Sequence, residues 1–188
     1  INFTPKRASL AGIPGMMDRV VTVNGVSKGF AMTGWRLGYI GAPKWIASAC
    51  NKIQGQITSA PCSIAQAAAA AAVDADPSIA NEMLEAFLRR RDQMLGDLEG
   101  IPGIKLNKPM GAFYLFPDVS GLFGKSFNGK TINNADDVAM FLIEEAYVAT
   151  VSGTAFGTPE CIRISYAAAD EVLTEAAKRI KEAVSKLS

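Results

Sequence analysis

Three side chains in one short stretch could hold and handle an anion: Ser27, Lys28 and Arg36. Arg36 offers a planar guanidinium fork matched to phosphate, and Ser27 can donate a hydrogen bond. Lys28 supplies either a charge or a nucleophilic amine. Gly29 and Gly34 lie between them, as suits a loop that must approach another group closely. On local composition alone the stretch reads more readily as a solvated turn than as a site. Far downstream, Arg163 stands between Ile162 and Ile164, the alternation of an ordinary half-buried strand with an outward cation. Tyr39 and Tyr114 have an acid's chemistry, but a tyrosine on an apolar strand more often serves the core. Arg89-Arg90-Arg91 reads as a solvated helix face.

The absence of histidine removes the commonest metal ligand and general base, so Ser-His-Asp, Cys-His and His-zinc chemistry are excluded within this chain. Cys50, Cys62 and Cys161 are odd in number and far apart, which argues against a disulfide framework and against a metal site, and fits a reducing, cytoplasmic setting. The 19 basic and 18 acidic residues are mixed along the chain and leave a net charge of +1. Nothing there draws in nucleic acid or an anionic membrane. The apolar run from Ala65 to Val73 is too short to span a bilayer. At 188 residues and 49% hydrophobic content the chain suffices for one sizeable core or two modest ones. It begins with Ile, with no targeting signal, and is expected to be a segment begun partway through a longer polypeptide.

The elements around these residues follow from periodicity. Arg19 to Val23 is β-branched and ends at Asn24-Gly25, which predicts a strand running into a turn; Leu37 to Gly41 predicts a second. The Lys28 stretch is then the loop between two strands. Pro43 opens a helix with Trp45, Ile46, Ala49 and Ile53 at helical spacing. Ser63 caps an alanine-rich helix whose small side chains allow close packing. Asp76-Pro77 starts a long helix with Ile79, Met83, Phe87, Met94, Leu95 and Leu98 as its apolar stripe. Beyond Gly100, strands are expected at 104–106, 112–116, 148–151 and 162–166, and helices at 135–146 and 171–187, capped by Asn134 and Asp170. The segment 118–133 reads as a surface loop. This alternation predicts an α/β chain ending in an α+β lobe.

The string Asn24-Gly25-Val26-Ser27-Lys28-Gly29-Phe30-Ala31-Met32-Thr33-Gly34-Trp35-Arg36-Leu37-Gly38-Tyr39 resembles the cofactor-attachment motif of class I/II aminotransferases, in the aspartate aminotransferase superfamily. A second match, Ser152-Gly153-Thr154-Ala155-Phe156-Gly157 followed by Cys161-Ile162-Arg163-Ile164-Ser165-Tyr166, lies downstream in the family's order. Relatives often carry Pro where Ser152 stands, which predicts a softer turn here. Gln54 to Gln66 and Gly111-Ala112-Phe113-Tyr114 fit the same family, so the resemblance covers nearly the whole chain, and in detail it is closest to bacterial aspartate aminotransferases.

This resemblance implies a fold type I pyridoxal-phosphate enzyme. Lys28 would carry pyridoxal 5'-phosphate and act as the catalytic base, Ser27 and Arg36 would bind the cofactor phosphate, and Arg163 would clamp the substrate α-carboxylate. The substrates implied are an L-amino acid, with aspartate favoured, and a 2-oxo acid, and the full-length protein would be a homodimer. Residues 1–75 would be the remnant of the large cofactor-binding domain, 76–98 an interdomain helix, and 99–188 the small α+β domain. The family's Asp for the pyridine nitrogen precedes the lysine. No suitable Asp stands between Ile1 and Val26, since Asp18 opens the strand leading to the site. The segment is therefore expected to be inactive by itself. The competing implications are another enzyme of this fold, such as a carbon–sulfur lyase, and an aminotransferase-like sensor domain of a transcription regulator.

Overall fold

A computed structural model describes residues 1–4 and 8–188. The chain divides into two compact units, Thr4–Glu82 in one, and Ile1–Phe3 with Met83–Ser188 in the other.

In the first unit, β1 (Thr22–Gly25) pairs antiparallel with β2 (Gly38–Gly41), Thr22 opposite Gly41 and Gly25 opposite Gly38. The first strand starts later than its β-branched run, because Met17–Arg19 forms a 3-10 turn. The connection is more ordered than a loop: α1 (Val26–Gly29) is a single helical turn, followed by a 3-10 turn at Thr33–Trp35. Helix α2 (Lys44–Ile57) begins after Pro43, and α3 (Ser63–Asp74) after Cys62, so Ser63 is the first helical residue and not the cap. In α3, Ala65 and Ala69 are buried one turn apart, the close approach that small side chains permit.

The apolar stripe of α2 behaves otherwise. Trp45 is 72% exposed, and Ile53 and Ile57 are exposed with it, as are Val23 on β1 and Ile64 on α3. Among the described residues of this unit, only Val26, Ala65 and Ala69 are buried apolar side chains. A two-stranded ribbon and two helices with so little buried surface gain little from the hydrophobic effect on their own.

The second unit has the core. At the end of the first unit the Asp76-Pro77 signal opens a 3-10 turn, Pro77–Ala80, with Asp76 capping it by accepting from the Ser78 amide; α4 (Asn81–Leu98) follows and belongs to the second unit from Met83 on. Phe87, Met94 and Leu98 point inward from α4, whereas Ile79 is left exposed. β3 (Tyr114–Leu115), β6 (Val151–Ser152) and β7 (Ile162–Ser165) form an antiparallel sheet in the order β3-β7-β6. The expected strand at 104–106 is reduced to a bridge between Lys105 and Asp118. The segment 118–133 is no plain loop: it holds the hairpin β4 (Ser126–Phe127) and β5 (Lys130–Thr131), and it buries Val119, Leu122 and Ile132. Helix α5 (Ala135–Ala146) occupies its expected span, with the Asn134 side chain accepting from the Asp137 amide. Helix α6 (Asp170–Val184) is preceded by Ala169, so Asp170 is not its cap. Leu142 of α5, Leu173, Ala177 and Ile180 of α6, and Ile162 and Ile164 of β7 close the core. Each large side chain there contributes about 1.5–3 kcal/mol.

Within the arginine triplet of α4, Arg89 is exposed as expected, while Arg90 in part and Arg91 fully depart from the solvated reading. Arg89 and Arg90 reach Asp170 at 3.0 and 2.7 Å, and this ion pairing is what occupies the expected cap. Arg91 is 5% exposed, in register with Phe87, Met94 and Leu98 on the buried face. Its guanidinium lies 4.7 Å from the centroid of Phe3, pairs with Asp92 at 2.9 Å and donates to the Pro109 carbonyl. The segment Ile1–Phe3 is thus pinned onto this unit, with Phe3 N donating to Met110 O and Ala112 N to Ile1 O.

Candidate active site

The Lys28 loop is held by its own backbone. Val26 is fully buried, its amide donates to Leu37 O, and Phe30 N closes α1 on Val26 O, so the residues flanking Lys28 are fixed at both ends. Thr33 is the tie within the loop. Its Oγ1 donates to Ser27 O at 2.9 Å, while its own carbonyl accepts from Arg36 Nη1 at 2.9 Å. Ser27 and Arg36, nine positions apart in sequence, are thereby held to one residue. Ala31 and Arg36 both adopt left-handed backbone, with φ of 53° and 52°. For a residue with a Cβ that conformation costs roughly 1–2 kcal/mol, and such strain concentrates where a loop serves a purpose. Lys28 is exposed at the end of α1, and Ser27 is half-buried.

A groove of about 790 Å³ opens beside this loop within the same unit, lined by Trp35, Arg36, Gln54, Thr58 and Cys62 among others. Arg36 reaches it; Ser27 and Lys28 are not part of its wall. Cys62 had no role assigned from sequence, yet it stands at the start of α3. Backbone N–H groups there, first Ala65 and then Ile64, lower its thiol below the ordinary range. Its place just before a helix opening is the signal for this in the sequence. Tyr39 is 40% exposed, which corrects its assignment to the core.

Arg163 belongs to the other unit. It is on β7, opposite Val151 of β6, and half-buried. Its guanidinium carbon lies 4.5 Å from the Tyr114 ring centroid and 4.6 Å from that of Phe156. Tyr114 is therefore more than plain core, and Phe156, which the second motif contained but gave no role, joins the surroundings of Arg163. Phe156 ends a 3-10 turn, Gly153–Phe156, that Ser152 caps: its Oγ accepts from Thr154 N and donates to Thr154 Oγ1. Serine at this position ties the turn by hydrogen bonds, so the softness expected from the missing proline is offset. Among the described residues, no three Cys, Asp or Glu side chains gather as a metal set, and no helix is long and apolar enough to cross a membrane.

Comparison with known proteins matches residues 2–180 to the family model described as aminotransferase class I and II. The chain is 49% identical over 180 residues to a bifunctional aspartate aminotransferase and glutamate/aspartate-prephenate aminotransferase of Petunia hybrida, covering 94% of this chain and 38% of that protein. It is 45% identical to an aspartate aminotransferase of Rhizobium meliloti, over 93% of this chain and 43% of that one. A crystal structure of an aspartate aminotransferase from Rhizobium meliloti superposes with a TM-score of 0.94 at 42% identity, covering 100% of this chain and 48% of the other. The mixed helix-and-strand architecture is thus that of the aminotransferases, and the chain spans less than half the length of the relatives it matches. Motif order, loop geometry and these likenesses converge on one statement: the chain belongs to the class I and II aminotransferase family.

Proposed function

We propose that this chain carries the cofactor lysine and the carboxylate-binding arginine of a pyridoxal-phosphate-dependent aminotransferase acting on aspartate and a 2-oxo acid. The observation that carries the reading is the Thr33 tie, which holds Ser27 and Arg36 to one residue beside Lys28. A guanidinium fork and a hydroxyl are the donor set that a phosphate requires, and a primary amine one position from the hydroxyl is what an aldehyde requires. The residues fit pyridoxal 5'-phosphate on that chemistry, and membership of the family supports it.

In this reading Arg36 and the Ser27 hydroxyl would hold the cofactor phosphate by donating hydrogen bonds, and Lys28 Nζ would be the point of attachment. Pyridoxal phosphate, when bound, supplies the electron sink that makes the substrate Cα–H acidic. Lys28 Nζ, released as a free amine when the substrate amino group takes its place, would take the proton from the substrate Cα and, in the reverse half-reaction, return one to the Cα of the new amino acid. Arg163 orients the amino acid by its α-carboxylate, for which a planar, permanently charged fork is suited.

The names of the relatives support aspartate as the substrate. Residues 1–75 are read as the large-domain remnant, 76–98 as the interdomain helix and 99–188 as the small domain. The exposed apolar side chains of the first unit, Trp45, Ile57 and Ile64 among them, support completion by further polypeptide and a homodimeric assembly. They also support inactivity of the 188-residue segment alone. The three free thiols favour a reducing, cytoplasmic compartment.

Borohydride reduction of the full-length protein with pyridoxal phosphate, followed by peptide mass spectrometry, tests the assignment. The phosphopyridoxyl adduct is expected on Lys28, and an adduct on any other lysine overturns it. Oxaloacetate from aspartate is the expected product; pyruvate with ammonia from cystathionine would indicate a lyase instead. Turnover by the isolated segment would sink the reading that it needs more polypeptide.

A further inference from the structure

Arg163 is held in an unusual way for a half-buried cation. Among the described residues no carboxylate pairs with it and no acceptor takes its N–H groups; its neighbours are the rings of Tyr114 and Phe156, at 4.5 and 4.6 Å. The two other arginines of this unit that are at least half-buried behave differently, since Arg90 pairs with Asp170 and Arg91 with Asp92. The two rings reach the guanidinium from separate segments, Tyr114 from β3 and Phe156 from the 3-10 turn Gly153–Phe156. Ring faces attract a cation through their quadrupole and accept none of its in-plane hydrogen bonds. A carboxylate in their place would have neutralised the charge and saturated the fork.

Each ring is itself fixed. Tyr114 is in β3, opposite Ser165 of β7, and its ring lies 4.4 Å from that of Phe113. Phe156 is met edge-on by Phe116 at 6.0 Å, and it ends the turn that Ser152 caps. Phe156 is nonetheless 48% exposed, more than core packing would ask of a phenylalanine.

We propose that Tyr114 and Phe156 are positioning residues that hold Arg163 by their ring faces, so that its N–H edge stays unsaturated and aimed for the substrate carboxylate. The inference rests on the reading of Arg163 as the carboxylate-binding residue. Phe156 then acts on the substrate only through Arg163, and its removal weakens binding of the carboxylate without touching the proton transfer at Lys28.

The test uses the full-length holoenzyme. Succinate, a dicarboxylate that cannot transaminate, is titrated by calorimetry, and kcat and KM are measured for aspartate. Phe156→Leu keeps apolar bulk and loses the ring; it is expected to weaken succinate and raise KM about tenfold while kcat changes less than about twofold. Tyr114→Leu is expected to act in the same direction. Phe156→Tyr, which restores a ring face, should return both constants to within about twofold of the parent. In an Arg163→Ala background, Phe156→Leu should add nothing, because the two residues work as one unit. Unchanged succinate binding in Phe156→Leu beside a large loss in Arg163→Ala overturns the positioning role and leaves the arginine's role standing. A Phe156→Leu effect that persists without Arg163 overturns it too. Succinate binding that survives Arg163→Ala instead overturns the underlying reading of the arginine.

Discussion

Gly153 packs directly against Cys161: its amide donates to the Cys161 carbonyl at 2.7 Å, and a Cβ at position 153 would stand 2.5 Å from that same oxygen. The Thr158 carbonyl closes in from the other side. This contact joins the turn ending in Phe156 to the strand bearing Arg163, so one glycine sets the Phe156 ring against the guanidinium it faces. Gly153→Ala forces backbone to move, since both obstructing atoms are carbonyl oxygens. A loss of about 3 kcal/mol or more in urea unfolding is expected, at the upper end of ordinary point substitutions. An alanine variant as stable as the parent would show that the turn can relax without cost.

Arg91 separates charge from packing. Burial pushes the Asp92 carboxyl up, but hydrogen bonds from Arg91 and Lys108, with their charges, bring it net below the usual carboxylate range. Arg91→Ala removes one partner of a half-buried pair and opens a void under Phe3; a loss of about 2 kcal/mol is expected, because Lys108 still serves Asp92 at 3.3 Å. Faster amide hydrogen exchange at Phe3 and Ala112 should accompany it. Arg91→Met keeps most of the volume and is expected to cost less than the alanine variant. Equal losses in the two variants would mean that packing over Phe3 contributes nothing.

Asp170 links α4 to α6 and should register in the acid limb of stability. Hydrogen bonds from Arg90, then from Arg89, hold its carboxyl below the ordinary value, with the two positive charges adding to the effect. A depressed carboxyl stabilises the fold at pH values above its unfolded pKa, about 4, and that stabilisation is lost as pH falls through the lower folded value. Asp170→Asn should therefore lower Tm at pH 7, and the gap to the parent should narrow below about pH 4. A gap that is constant from pH 7 to pH 3 would assign the loss to something other than the carboxylate charge.

The cysteines should differ in reactivity despite their common free state. Cys62 is exposed, with a thiol lowered by the Ala65 and Ile64 amides. Cys161 is buried, and burial, reinforced by Glu160 and Asp118, raises its thiol. Timed iodoacetamide labelling at pH 7.5 should modify Cys62 in the native chain and reach Cys161 only after denaturant is added. Native labelling of Cys161 at a comparable rate would indicate local opening of the β6–β7 edge.

What the amino-acid order determined by itself was local chemistry and local period. The strand pair around Lys28, the capped helix at Ala135–Ala146, the inward face of α4 and the two family motifs were legible, because each is encoded within a short stretch of chain. Fold class followed from their order. Tertiary structure alone decided the rest. Arg91 occupies a core position that its residue type argued against, and the pairing of Asp170 with Arg89 and Arg90, some eighty positions away, displaced a cap that sequence had assigned to it. The hairpin hidden in 118–133 depends on pairings too short to show a period. Above all, the meeting of Tyr114, Phe156 and Arg163 joins three separate segments by contacts that local periodicity does not encode. The motif around Lys28 was readable from neighbours in sequence; the packing of Arg163 against two rings was readable only from neighbours in space.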